Sequence, residues 1–205
     1  MKSRKVIVLS GIQHAGKTTL GRLLAQALKG NFFDTDLETE RLTGKHPRII
    51  TAEGGQKAYN IAETQTINHI LSNSKDTDEK YLVISTGGGF CDNPDGVEIL
   101  KKSGWIICLN PDLETGAKRI LDETKIHENG TLEGYPIYPG YEDVVPKSIA
   151  EVKKIYYDFQ TVRKERYLGI ADIVVDVTDT PAKENADILL QSVRTRLRSL
   201  SQINA

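Results

Sequence analysis

The sequence predicts an α/β protein, a parallel sheet covered by helices, and three observations carry that expectation. Short apolar runs at about 5–10, 81–85, 105–109 and 172–177 are bounded by turn residues. Longer stretches with apolar residues three and four apart separate them. A glycine-rich turn joins the first run to the first of those stretches, giving strand, turn and helix in order. Strands that alternate with helical crossovers pair in parallel, take helices on both faces and leave their carboxyl ends open to ligands.

Taken in order, Val6-Ile7-Val8-Leu9 is a buried first strand. From Lys17 to about Leu28, the residues Leu20, Leu23, Leu24, Ala27 and Leu28 form one apolar helical face, which Gly30-Asn31 ends. Phe32-Phe33 is a very short second strand before Asp34. Helical spacing continues at about 55–72, 111–124, 147–168 and 182–200. In the last of these, Arg194, Arg196 and Arg198 wrap around the helix, as a solvated face does. The stretch from Ile126 to Pro146 has no period and holds three glycines, three prolines and three tyrosines. An aperiodic segment of that length inside one domain suggests a lid. The expected organisation is therefore a single domain over 1–205, with an acceptor-binding region at about 37–72 and a lid at about 124–147.

Bulk properties narrow the function classes. The 205 residues are 39% hydrophobic and 27% charged, and the net charge is −1. Such a balance gives no general attraction to nucleic acid or to an anionic membrane, so neither is an expected partner. Apolar runs such as Trp105-Ile106-Ile107-Cys108-Leu109 are far short of the ~20 residues that span a bilayer. The basic Met1-Lys2-Ser3-Arg4-Lys5 precedes too short an apolar stretch for a signal peptide. A cytoplasmic chain, monomeric by default, is expected. Cys91 and Cys108 lack metal-ligand spacing and read as reduced structural thiols.

Gly11-Ile12-Gln13-His14-Ala15-Gly16-Lys17-Thr18 fits Gly-x₄-Gly-Lys-[Ser/Thr] without a mismatch, after a strand and before a helix. Chance would produce the pattern in a chain of this size at about the one per cent level. Glycines there let backbone N–H groups turn toward phosphate oxygens, and the helix start adds its own unpaired N–H groups. Lys17 is the candidate for the β- and γ-phosphates of ATP, and Thr18 for a Mg²⁺ ligand. His14, Ala15 and Thr19 belong to the nucleotide-binding set by position; the chemistry does not require the His14 side chain.

Asp34-Thr35-Asp36 leaves the second strand at the same sheet edge, and strand alternation would point both carboxylates to one side. Transfer of a phosphoryl group to an alcohol needs one carboxylate near the metal and one near the hydroxyl that loses its proton. Alone, the pair would read as a helix N-cap before Leu37; beside a phosphate loop, the catalytic reading takes precedence. Ser85-Thr86-Gly87-Gly88-Gly89 closes the third strand, and three successive glycines suggest a backbone that a ligand approaches closely.

These motifs, in this order and spacing, resemble the shikimate kinase family. The carriers are Gly11-x₄-Gly16-Lys17-Thr18-Thr19-Leu20-Gly21, Phe33-Asp34-Thr35-Asp36 and Ile84-Ser85-Thr86-Gly87-Gly88-Gly89. Gly104-Trp105-Ile106-Ile107-Cys108-Leu109 is similar to the family's fourth strand, and Arg163-x₃-Tyr167-x₃-Ala171-Asp172 to its penultimate segment. The resemblance implies a three-layer P-loop fold with a five-stranded sheet in order 2-3-1-4-5, and an ATP-dependent phosphotransferase of aromatic amino acid biosynthesis. By the same resemblance Asp34 binds Mg²⁺ through water, and Asp36 holds the acceptor hydroxyl. Gly87, Gly88 and Gly89 line the acceptor pocket, and Arg163 pairs with the acceptor's carboxylate. Arg119 stacks on adenine beside a loop at Thr178 to Pro181.

Two departures bear on the substrate. The family's Phe-Arg-x-x-Glu aligns with Tyr59-Asn60-Ile61-Ala62-Glu63, which puts Asn60 where an arginine is expected and leaves Lys57 to compensate from one turn away. An amide bonds a carboxylate without the charge or the fork of a guanidinium. The family's lid arginine is missing too, since no arginine lies between Ile120 and Ala150 and only Lys125 and Lys147 supply cations there. These departures point to a weaker or different acceptor, while the resemblance makes shikimate or a similar polyhydroxy acid the first candidate. A gluconate-type or other small-metabolite kinase, or a nucleotide-binding module without catalysis, are the alternatives.

Overall fold

The computed structural model describes residues 5–74, 79–141 and 143–203. Strand β1 (Lys5–Ser10) has every residue but the first buried. An apolar run without alternation suits a strand covered on both faces. It pairs in parallel with β3 (Tyr81–Ser85) on one side and β4 (Gly104–Pro111) on the other. The strand β2 (Asn31–Asp34) lies beyond β3, and β7 (Ile173–Val177) beyond β4, giving one parallel sheet ordered β2-β3-β1-β4-β7. Counted within the sheet, that is the expected 2-3-1-4-5. A separate antiparallel hairpin, β5 (Lys125–Ile126) with β6 (Leu132–Glu133), accounts for the intervening numbers.

Helices cover the sheet. The helix α1 (Lys17–Leu28) lays Leu20 and Leu24 on the core and packs against α7 (Ala182–Ile203), which contributes Leu189 and Val193. Similarly, α5 (Leu113–Glu123) packs on α6 (Ile149–Ile170), while α3 (Pro47–Asn73) lies between α2 (Thr35–Thr43) and α4 (Pro94–Ser103). Ile7, Leu9, Ile84 and Ile106 have no exposed surface, and each such side chain stabilises the fold by about 1.5–3 kcal/mol. Arg194, Arg196 and Arg198 are exposed, as their spacing implied. Burial pushes the free thiols of Cys91 and Cys108 up to about 11, which favours the protonated thiol over the thiolate. Among the described residues no helix is long and apolar enough to cross a membrane.

Several elements depart from the sequence reading. The left-handed residue ending α1 is Lys29 (φ 53°), one position before the expected glycine, and its N–H bonds Ala25 and Gln26 oxygens. The helix α2 shows no apolar stripe, so its periodicity was silent; α4 is announced only by its cap, where Asn93 accepts from Gly96 N–H and Pro94 opens the first turn. The expected helix at 55–72 starts earlier, at Pro47, with a bend at Gly55 (φ 70°). Within the aperiodic 126–146 stretch Tyr138 is buried and stacks on Phe159, centroids 4.3 Å apart.

Candidate active site

The turn after β1 is built by backbone strain that glycine tolerates. Gly11 has φ 140°, and a Cβ there would fall 2.4 Å from the Leu109 carbonyl oxygen, while Gly16 caps α1 at φ 87°. Lys17 is buried, and its Nζ donates to the carbonyls of Gly11 and Ile12, both at 3.0 Å, which holds the ammonium inside its own loop. Burial lowers its pKa, against the pull of Asp36 and Asp34. Ala15 is fully buried and Thr19 is exposed in the first turn of α1. Arg119 clamps the loop from outside, donating to the His14 carbonyl (2.8 Å) and to the Thr178 carbonyl (3.3 Å). His14, itself at φ 61°, has its pKa lowered by burial; Lys17, Arg119 and Arg48 add to this and Glu123 opposes it. Asn185, 2% exposed, fixes the 178–181 segment by bonding Thr178 N–H and the Thr178 and Thr180 carbonyls, and Pro181 is exposed beside it.

Strand alternation does not place the two carboxylates, because α2 already starts at Thr35. Asp34 is the helix N-cap: its Oδ1 accepts from the N–H groups of Asp36 (3.1 Å) and Leu37 (3.4 Å). Its Oδ2 meanwhile accepts from Thr18 Oγ1 at 2.6 Å, so cap and phosphate-side carboxylate are one side chain. One hydroxyl and one carboxylate side by side, with phosphate and water oxygens completing the shell, is a donor set that suits Mg²⁺. Asp36 stands in the first turn of α2, its pKa raised by burial, and accepts a short hydrogen bond from the Tyr59 hydroxyl, which opposes that rise.

The glycine triplet lies against this carboxylate. A Cβ on Gly87 would come within 2.6 Å of both Asp36 Oδ1 and the Tyr59 hydroxyl. Gly87 N–H donates to Thr35 Oγ1 (3.0 Å), and its carbonyl accepts from buried Tyr167 (3.3 Å). The Gly88 carbonyl accepts from Arg163 at 2.9 Å, and a Cβ on Gly89 would sit 3.5 Å from Arg163 and from Gln56 Nε2. Arg163 is only 7% exposed, lies 4.4 Å over the Phe159 ring and bonds Asp92 at 2.7 Å. Beside it a cavity of about 600 Å³ is edged by Gln56, Asp92, Tyr141, Phe159 and Arg166.

Asn60 does not face that cavity as a free amide. It donates to the Asp92 carbonyl (2.7 Å) and accepts from Gln56 (2.8 Å). Lys57, the compensating cation suggested by spacing, is exposed, and Gln56 lines the cavity instead. Lys125 and Lys147 are exposed as well. Tyr59, Glu63 and Asn93 were not singled out as site residues, although the aligned Tyr59-Asn60-x-x-Glu63 displayed two of them. Glu63 has no exposed surface and is pushed up to about 7 by burial, against hydrogen bonds from Asn93 (2.9 Å) and Thr35 (3.3 Å).

Comparisons with known proteins agree with this geometry. The shikimate kinase family model matches residues 13–194. A shikimate kinase of Dechloromonas aromatica (strain RCB) is 38% identical over 191 residues, 93% of this chain and 91% of that one. One from Pelotomaculum thermopropionicum is 40% identical over 116 residues, covering 57% of this chain and 64% of that protein. Among solved structures, the Acinetobacter baumannii shikimate kinase in complex with shikimate superposes with a TM-score of 0.70 at 25% identity, over 95% of this chain and 96% of that one. A Sinorhizobium meliloti gluconokinase, at TM-score 0.57 and 15% identity over the full length of both chains, shares the fold alone. With the match running from the phosphate loop into the last helix, the chain belongs to the shikimate kinase family.

Proposed function

We propose that this protein transfers the γ-phosphoryl group of ATP to a hydroxyl of shikimate or a closely similar polyhydroxy carboxylic acid. One observation carries the reading: the glycine triplet has the Asp36 carboxylate against its first residue and the Arg163 guanidinium against its last two. Three residues span at most about 7–10 Å, the scale of a small acid with a hydroxyl at one side and a carboxylate at the other.

On this reading the loop N–H groups and Lys17 hold the triphosphate. Lys17 exchanges the Gly11 and Ile12 carbonyls for phosphate oxygens. Thr18 and Asp34 would hold Mg²⁺, which neutralises charge on the phosphates when bound. Asp36 accepts the proton of the acceptor hydroxyl as its oxygen bonds phosphorus and the bond to the β-phosphate oxygen breaks, leaving ADP. Arg119 stays at the nucleotide side, with Pro181 and the segment before it beside the base. Residues 37–72 frame the acceptor and 124–147 form the lid, whose Pro139 and Tyr141 border the cavity. The setting is the cytoplasm, where ATP and reduced thiols coexist, and the acting unit is a monomer.

The test is incubation with ATP, Mg²⁺ and separate acceptors, with phosphorus NMR of the products. Shikimate phosphate is the expected product. Phosphorylation of gluconate in its place would move the chain to a sugar-acid kinase, and ATP binding with no acceptor phosphorylated would leave a binding module.

A further inference from the structure

The cavity beside Arg163, which reaches Gly88 and Gly89 on its other side while Asp36 and the glycine triplet stay outside the cavity lining, has a second arginine that no sequence motif pointed to. Arg163 and Arg166 lie three residues apart on α6, hence on one face. Asp92, at the end of the 3₁₀ turn Phe90–Asp92, takes one guanidinium on each oxygen: Arg163 on Oδ2 at 2.7 Å and Arg166 on Oδ1 at 2.5 Å. Both arginines border the cavity, Arg163 with its side chain 8% exposed and Arg166 with its side chain 56% exposed.

We propose that Arg166 is a second anion-binding residue of the acceptor site, gripping the acceptor's carboxylate together with Arg163, and that Asp92 is the internal counter-ion that presets both guanidiniums. This assignment rests on the acceptor chemistry proposed above. Among the cavity-lining residues the cations are these two arginines. Asn60 brings no charge and is not among the lining residues, and its amide already accepts from Gln56 and donates to the Asp92 carbonyl. The carboxylates at the cavity are Asp92 and Asp158, and Asp158 is paired with Lys154 at 2.9 Å. Two guanidiniums against Asp92 alone leave a net positive site.

Donor capacity remains after Asp92 is satisfied. A guanidinium carries five N–H donors, and the buried Nε of Arg163 has no hydrogen-bond partner among the described residues. Asp92 therefore orients the pair without saturating it. A solvent-exposed ion pair adds little to stability, so the fold gains little from Arg166, whereas an incoming carboxylate gains a second charged fork.

The experiment is calorimetric titration of the full-length protein with shikimate and with its carboxamide analogue, comparing wild type, Arg166→Leu and Arg166→Lys. Arg166→Leu is expected to weaken shikimate binding by about tenfold while leaving the carboxamide and ATP unaffected. Arg166→Lys, which keeps the charge and loses the fork, should recover part of that loss. Equal shikimate affinity in wild type and Arg166→Leu, or equal losses for acid and amide, would overturn the proposal. Turnover separates it from the proposed function. Wild-type protein that binds shikimate through Arg166 without phosphorylating it sinks the activity and supports the site, and phosphorylation indifferent to Arg166 does the reverse.

Discussion

The phosphate end and the acceptor end of the cleft are built from different materials. At the phosphate end the work falls to backbone: a left-handed glycine, a close approach to Leu109, and the N–H groups of a helix start, with Lys17 folded back on its own loop. At the acceptor end the work falls to side chains from α2, α3, the 3₁₀ turn and α6, which interlock as Asp36 with Tyr59, Glu63 with Asn93, and Asp92 with two arginines. A backbone-built site tolerates few sequences, so it follows one pattern closely. A side-chain network can exchange members as long as charge and hydrogen bonds are satisfied, so its sequence is free to vary more widely.

The largest effects separate the two ends. Lys17→Ala removes the cation from the phosphate end and should lower transfer at least about a thousandfold, measured as kcat at saturating acceptor. Near-normal turnover in that variant would mean that the triphosphate is bound elsewhere. Asp36→Asn keeps the shape of the acceptor end and removes its base, and should lower kcat by about a hundredfold to ten-thousandfold. Its KM for ATP should stay near that of wild type, because Thr18 and Asp34 are untouched. A matching loss of ATP affinity would show that the two ends are not separable.

How much the sequence revealed follows the same division. The sheet order and the phosphate loop were legible because apolar runs and a glycine pattern act through the backbone, where residue type maps directly to conformation. The helix at 35–43 was not, since its residues form no stripe and its start depends on Asp34, which makes its cap bonds with one carboxylate oxygen and accepts from Thr18 on the other. Arg163 stood out by its motif, but its bond to Asp92 did not, because a pairing across a separation of 71 residues gives no sequence signal. Lys57 looked well placed by helical spacing, yet the bend at Gly55 and the burial of Tyr59 turn Gln56 to the cavity.

A smaller effect tests whether the acceptor end is held by neutral hydrogen bonds. Glu63 is pushed from the ordinary 4.5 up to about 7 by burial. The folded chain thus keeps a proton that the unfolded chain releases over that interval. This contribution to stability is fully present below the unfolded value and is lost as pH rises through the folded one. Glu63→Gln, which cannot ionise, should gain about 2–3 kcal/mol on wild type between about pH 5 and about pH 8, measured by urea denaturation across that range. A difference that does not change with pH would mean that Glu63 is ionised in the fold, and a cation would then have to be found for it.

The smallest expected effect concerns one oxygen atom, the hydroxyl that distinguishes Tyr59 from a phenylalanine. It donates to Asp36 Oδ1, and that bond opposes the upward push of burial on the Asp36 carboxyl. Without it the carboxyl holds its proton to higher pH, and the ionised form that accepts the acceptor's proton is reached later. Tyr59→Phe should therefore move the acid limb of the kcat/KM profile to higher pH, with a loss near neutrality. At alkaline pH the variant should converge on wild type. A loss of packing would instead depress the whole profile, and a limb that stayed in place would remove Tyr59 from the positioning of Asp36. The direction of the shift matters most, because it decides whether the Asp36 carboxyl is tuned through α3, the helix that also carries Glu63.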